Sequence, residues 1–286
     1  MIPAPFDYQA PATLEEAVSL LAGDPDGAKV LAGGHSLIPA MKLRLAQPQL
    51  LVDIARIKSL AYIREEGNQI LIGATTTHYQ LESSELLKQI CPLLPLCAAS
   101  IGDVQVRNKG TIGGSVAHSD PAGDWPAAVL ALDAEIVLVG PNGERIVKAT
   151  DFFIDLMTTD LQPGEILREI RVEKPSGRFG HAYQKVPHPA SGFAVVGIAV
   201  NLALNDDGSC KAARVGVTGV ALKAYRAQGV EAALAGANLD DQTIAAAAEH
   251  VCDGVSPNGD LYASGDYRRA LAKVHTRRAL QAAKTQ

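Results

Sequence analysis

Lys29-Val30-Leu31-Ala32-Gly33-Gly34-His35-Ser36-Leu37 runs from an apolar strand through a double glycine into the start of a helix. The helical pattern continues from Ser36 to Arg44, and Pro39 is tolerated there because it falls in the first turn. Glycine lets a backbone approach a ligand closely. The unpaired N–H groups and dipole of a helix start favour an anion, typically a phosphate, and Ser36 adds a hydroxyl donor. A plain strand-to-helix turn uses the same residues, so this segment alone leaves both readings open. A second segment, Gly110-Thr111-Ile112-Gly113-Gly114-Ser115, repeats the chemistry further along. Two such loops are expected to grip an extended diphosphate. Neither reads GxGxxG, and the sequence shows no βαβ alternation of the length a dinucleotide-binding Rossmann unit needs.

Outward from the first segment, Thr13 and Glu16 fit a capping box, followed by Leu14, Ala17, Val18 and Leu21 at helical spacing. Leu50 to Ile54 reads as a strand, and residues 61–72 as a hairpin turning at Glu66-Gly67-Asn68. Helices are expected over 81–89 and 93–100. Residues 102–123 are rich in Gly, Ser, Asn and Thr without clear periodicity, a stretch expected to be functional rather than linker. A helix over 124–132 and a strand over 135–139 follow. Beyond Lys174-Pro175-Ser176-Gly177 come three strand-like runs, 179–186, 194–204 and 212–220, and then helices over 243–251 and 267–283. The expected fold class is α+β, ending in a three-stranded antiparallel sheet with helices.

With 286 residues, 47% apolar and 20% charged, the chain has material for about two ordinary globular domains. Its net charge of -5 gives no basic surface for nucleic acid. No apolar run reaches the roughly 18 residues of a membrane span, and Met1 to Asp7 lacks the regions of a secretory signal. Cys91, Cys97, Cys210 and Cys252 form no CxxC pair, so neither a zinc nor an iron–sulfur site is expected. They are expected as reduced, buried thiols in the cytoplasm.

Gly34-His35-Ser36-Leu37-Ile38 imitates the GxSxG elbow of serine hydrolases, but Ile38 stands where the crowded turn needs glycine. Asp124 is expected as a helix N-cap, as a carboxylate accepting bonds from ligand hydroxyls, or as both. Lys185 reads either as a neutraliser of ligand charge or as a solvated side chain, and Phe193 either as a ring stacked on a planar ligand or as core. His118 has no evident partner and reads as a polar loop residue.

Ala32-Gly33-Gly34-His35-Ser36, then Met41-Lys42-Leu43-Arg44, then Thr111-Ile112-Gly113-Gly114-Ser115 resemble the FAD-binding medium subunit of molybdenum hydroxylases of the carbon-monoxide and xanthine dehydrogenase type. The resemblance extends over essentially the whole chain, through Pro3-Ala4-Pro5-Phe6, Asp120-Pro121-Ala122-Gly123-Asp124 and Asp151-Phe152-Phe153. It implies a p-cresol-methylhydroxylase-type FAD fold over residues 1–175, with two α+β subdomains at about 1–57 and 58–175, and a C-terminal domain over 176–286. It further implies that residues 32–36 and 111–115 hold the FAD diphosphate and nearby groups. Asp124 would contact hydroxyls, Leu161 would offer backbone contact, and Lys185 a polar or charged one. Ile101 would pack near the flavin, and Phe193 would lie on its ring. Two departures stand out: Ser115 replaces an asparagine common in the family, and residues 188–192 replace a basic and acidic stretch.

The implied role is electron transfer. A large subunit with a molybdenum cofactor hydroxylates the substrate, a small subunit with two [2Fe–2S] clusters relays electrons, and the flavin delivers them to an external acceptor. A dimer of heterotrimers is implied, in the cytoplasm, with any association at the inner membrane face made through partners. The alternatives are a stand-alone FAD reductase of the same fold, a serine hydrolase at Ser36, and a scaffold that has lost its flavin.

Overall fold

The structure, a computed structural model, describes residues 1–285. Three larger sheets follow one another along the chain, and a two-stranded one pairs Phe153–Asp155 with Thr158–Thr159. The first holds three parallel strands in the order Asp7–Gln9, Leu50–Asp53, Ala28–Leu31. Parallel neighbours need crossover connections, and the helices Leu14–Gly23 and Leu37–Lys42 supply them. A short βαβαβ unit is therefore present, its strands only three or four residues long. Asp7–Gln9 went unseen because its residues are exposed and carry no apolar period. The Thr13 hydroxyl caps the first helix by accepting from Glu16 N–H, while the Glu16 carboxylate accepts from Ala12 N–H. Ala17, Val18 and Leu21 pack that helix onto Val52 and Ile54 of the sheet region.

The second sheet is antiparallel, in the order Ile63–Glu66, Gln69–Gly73, Ile166–Glu173, Glu135–Gly140, Gly143–Lys148. Between its second and fourth strands the chain makes a run of short helices that bury the largest core, centred on Trp125, Ile112, Leu93 and Leu94. The helical stretch expected over 81–89 is two helices, His78–Ser83 and Glu85–Ile90. Ser84 ends the first and caps the second by accepting from Leu87 N–H. The irregular stretch expected over 102–123 contains the helices Val104–Arg107 and Ile112–His118.

The third sheet joins Arg178–Pro187, Ala194–Leu204 and Cys210–Thr218 as antiparallel neighbours, as expected, and adds a two-residue fourth strand, Tyr225–Arg226. Helices Gln228–Leu234, Asp241–Ala248 and Gly265–Ala283 share its core. The helix Asp124–Ala131 packs on Ala194–Leu204 and Cys210–Thr218. Gly216 permits that approach, because a Cβ there would collide with the Ala127 carbonyl. Thr218 Oγ1 lies 2.8 Å from both the Pro121 and Gly123 carbonyl oxygens, which fixes the start of the helix against the sheet.

Candidate functional site

The two glycine segments meet. A Cβ on Gly33 would collide with the Lys109 carbonyl and lie 2.8 Å from Gly110 Cα, and one on Gly114 would lie 3.8 Å from Ala32 Cβ. Gly33 therefore lets the second segment close against the first. Gly34 has φ +76°, a conformation that favours glycine. The segments differ in what they offer. Among the described residues, the N–H groups of residues 33–37 have no acceptor, and the helix Leu37–Lys42 starts at Ser36 without a side-chain cap. In the second segment most donors are paired: Ile112 N–H to Thr76 O at 3.1 Å, Gly113 N–H to Ala74 O at 2.9 Å, and Gly114 N–H to Thr111 Oγ1 at 3.2 Å. The expectation of two equivalent loops is corrected on this point. Thr111 is the N-cap of a helix, and Gly113 is glycine because a Cβ would strike Ala74. The unpaired backbone donors are thus concentrated at residues 33–37, and Ser115 is half-buried.

His78, absent from the sequence reading, supports the second segment. Its N–H donates to Gly110 O at 3.0 Å, and its ring lies where a Gly110 Cβ would be. Its Nδ1 accepts from Trp125 Nε1 at 3.0 Å. Burial lowers its pKa to about 4, with smaller contributions in the same direction from the neighbouring His35 and Arg107, so the ring is neutral. Arg107 in turn pairs with Glu82 at 2.7 Å and donates to the carbonyls of Ile101 and Gly102.

Asp124 is not the N-cap; Gly123 is, and Asp124 is the first helical residue. It is 5% exposed. Its Oδ1 accepts from the Tyr183 hydroxyl at 2.5 Å and its Oδ2 from Lys185 Nζ at 2.9 Å. Burial raises the Asp124 pKa, and the two donors oppose the rise. Lys185 is no solvated side chain: it is 6% exposed and also donates to Ser100 O at 2.9 Å. The residues before and after Ser100 thus become a junction. Ile101 packs on the core there, and a Cβ on Gly192 would lie 3.6 Å from Gly102 Cα. The turn 188–193 is closed by His188 N–H to Phe193 O and Gly192 N–H to His188 O, at 2.7 and 2.8 Å. Phe193 is 45% exposed rather than core, and the His188 ring meets Tyr262 edge-on at 4.4 Å. Leu161 lies half-buried against the same core as Ile101, its N–H 3.4 Å from Thr159 Oγ1.

Ser36 has no hydrogen-bonded histidine among the described residues, so no hydrolase pair is assembled. A cavity of about 430 Å³, lined by Thr13, Tyr62, Arg64 and Arg168 among others, shares no residue with these segments.

Residues 4–175 match the FAD binding domain in molybdopterin dehydrogenase, and residues 181–283 match the CO dehydrogenase flavoprotein C-terminal domain. The chain belongs to the FAD-binding medium subunits of the molybdenum hydroxylases. Among its relatives in this family is the carbon monoxide dehydrogenase medium chain of Hydrogenophaga pseudoflava, 42% identical over 99% of this chain and 98% of that one. The glyceraldehyde dehydrogenase medium chain of Sulfolobus acidocaldarius is 37% identical over 98% and 99%. The structure of the H. pseudoflava carbon monoxide dehydrogenase lacking the Mo-pyranopterin moiety superposes with TM-score 0.96 at 44% identity, covering 100% of this chain and 99% of that one. Quinoline 2-oxidoreductase from Pseudomonas putida 86 gives 0.93 at 34%, with the same coverage. This flavoprotein subunit accordingly has FAD as its cofactor and serves an oxidoreductase.

Proposed function

We propose that this FAD-binding subunit takes electrons from the [2Fe–2S] clusters of a small partner subunit and passes them to an external acceptor, while a large molybdenum subunit transforms the substrate. The assembly is a dimer of heterotrimers in the cytoplasm. Residues 1–175, with subdomains at about 1–57 and 58–175, form the FAD-binding part, and residues 176–286 the C-terminal domain. Bound FAD supplies the redox chemistry; the chain holds, orients and electrostatically tunes it.

In this proposal Ala32, Gly33, Gly34, His35 and Ser36 hold the diphosphate, with Thr111, Ile112, Gly113, Gly114 and Ser115 closing the other side. Asp124 and Lys185 provide the polar wall, Leu161 a backbone contact, and Ile101 and Phe193 the flanks of the flavin. The observation that carries it is the row of N–H groups at residues 33–37 without protein acceptors, set against the second segment by Gly33. A diphosphate is the ligand such a row suits. The relatives named as medium chains of carbon monoxide and glyceraldehyde dehydrogenases support the partner assignment.

The test is a visible spectrum of the purified chain under argon. Flavin bands that bleach with dithionite and return with an added acceptor dye are expected. A colourless chain that takes up no added FAD would overturn the proposal.

A further inference from the structure

We propose that Tyr183 is a positioning residue of the flavin site: its buried hydroxyl, given room by Gly197, orients the Asp124 carboxylate so that it pins the Lys185 ammonium beside Ser100 and Ile101. The inference rests on the proposed placement of Lys185 at the flavin.

Tyr183 and Lys185 lie two apart on the strand Arg178–Pro187, so their side chains share one face. Both reach Asp124, the hydroxyl on Oδ1 at 2.5 Å and the ammonium on Oδ2 at 2.9 Å. One carboxylate is thus held at both oxygens and cannot turn without losing a partner. Gly197 stands opposite Lys185 on the neighbouring strand. A Cβ there would come within 2.7 Å of both the Tyr183 hydroxyl and Thr218 Cγ2. The missing side chain is therefore what accommodates the hydroxyl. Thr218, whose methyl group lies against Gly197, has its hydroxyl committed to the Pro121 and Gly123 carbonyls. No other acceptor is recorded for the Tyr183 hydroxyl among the described residues, and burial keeps the phenol protonated and donating.

The consequence follows from electrostatics at low exposure. A buried carboxylate deprived of one donor is less stable as an anion. It then holds the ammonium less firmly, or takes its proton. An ammonium fixed at the flavin favours the added negative charge of reduction, so loosening it lowers the midpoint potential of the bound flavin.

The experiment measures that potential by dye equilibration on the FAD-loaded complex for wild type, Tyr183→Phe, Lys185→Met and the double variant, together with FAD content. Phenylalanine keeps the ring that fills the core. Tyr183→Phe is expected to retain FAD and shift the potential negative, in the same direction as Lys185→Met. The double variant is expected to shift less than the sum, because both substitutions break one network. Gly197→Ala, which crowds the hydroxyl, should move the potential the same way. An unchanged potential in Tyr183→Phe beside a shifted one in Lys185→Met would overturn the positioning role and leave the site intact. If Lys185→Met alters neither FAD content nor potential, the placement of Lys185 at the flavin falls, and the inference with it. Should Tyr183→Phe fail to fold, Gly197→Ala decides by the same two outcomes.

Discussion

Gly33 has its reason in its neighbours. A methyl group there would meet the Lys109 carbonyl, which is backbone and cannot swing aside. Gly33→Ala should part the two glycine segments and empty the site without unfolding the subunit. Flavin per protein after gel filtration should fall to a small fraction of wild type; full occupancy would contradict the closure of the two segments. Gly114→Ala should be milder, because its Cβ would press only on the Thr111 hydroxyl, 2.8 Å away. Ser36 makes no capping bond, so its hydroxyl is available to a ligand. Ser36→Ala should weaken FAD binding by about 0.5–1.5 kcal/mol, the worth of an ordinary hydrogen bond. Titration calorimetry of the apo chain measures it, and a fluorophosphonate probe should label neither form at this position. The double glycines were legible in the sequence as close-approach residues. Their target was not: Gly33 meets backbone from far along the chain, and Gly113 meets Ala74. Pairwise packing of that kind leaves no mark in a local pattern.

At the scale of elements, strands and capped helices were legible wherever period and cap agreed. The helix Ile112–His118 was not, because two glycines and a threonine conceal its helical spacing. Its N–H groups are bonded to Ala74 and Thr76, a tertiary arrangement outside any local window. Tyr183 was within reach of a period-two reading from Lys185, whereas its partner Asp124 lies on a different element. Two of the three histidines buried among the described residues, His78 and His181, give the elements a shared pH dependence. His78 Nδ1 accepts from Trp125, and His181 accepts from Leu93 N–H at 3.4 Å while its Nε2 faces Asn201 Oδ1 at 3.1 Å. Burial lowers both pKa values to about 4, from 6.5 for a free imidazole, with Asn201 partly offsetting the effect at His181. Below pH 6.5 the unfolded chain binds the protons more readily than the fold does. Stability is therefore full above about pH 6.5 and declines as pH falls towards 4, by about 3 kcal/mol for each ring. Urea melts at pH 7, 6 and 5 should show the decline, and His78→Gln should make it shallower. A flat profile over that range would contradict two neutral buried rings.

For the whole molecule, order and spacing carried more than any single motif. The glycine segments, Met41-Lys42-Leu43-Arg44, Pro3-Ala4-Pro5-Phe6, Asp120-Pro121-Ala122-Gly123-Asp124 and Asp151-Phe152-Phe153 together indicated the family, while each glycine segment by itself was ambiguous. The sheet order of the first unit and the packing of Asp124–Ala131 on the third sheet were not legible, since both depend on pairings between distant segments. Among the described residues no helix is long and apolar enough to cross a membrane, and no group of His, Cys, Asp or Glu is placed to hold a metal ion. Cys91, Cys97, Cys210 and Cys252 are all buried and unbridged. Each [2Fe–2S] cluster needs four protein ligands, so two clusters would need more thiols than these. In the proposed role, the clusters that feed this flavin therefore belong to another subunit. The direct measurement is substrate-dependent dye reduction by the purified, FAD-loaded chain, compared with the same chain recombined with its molybdenum and iron–sulfur subunits. No turnover by the chain alone and full turnover by the recombined complex is the expected result; equal turnover in both samples would contradict its role as an electron-transfer subunit.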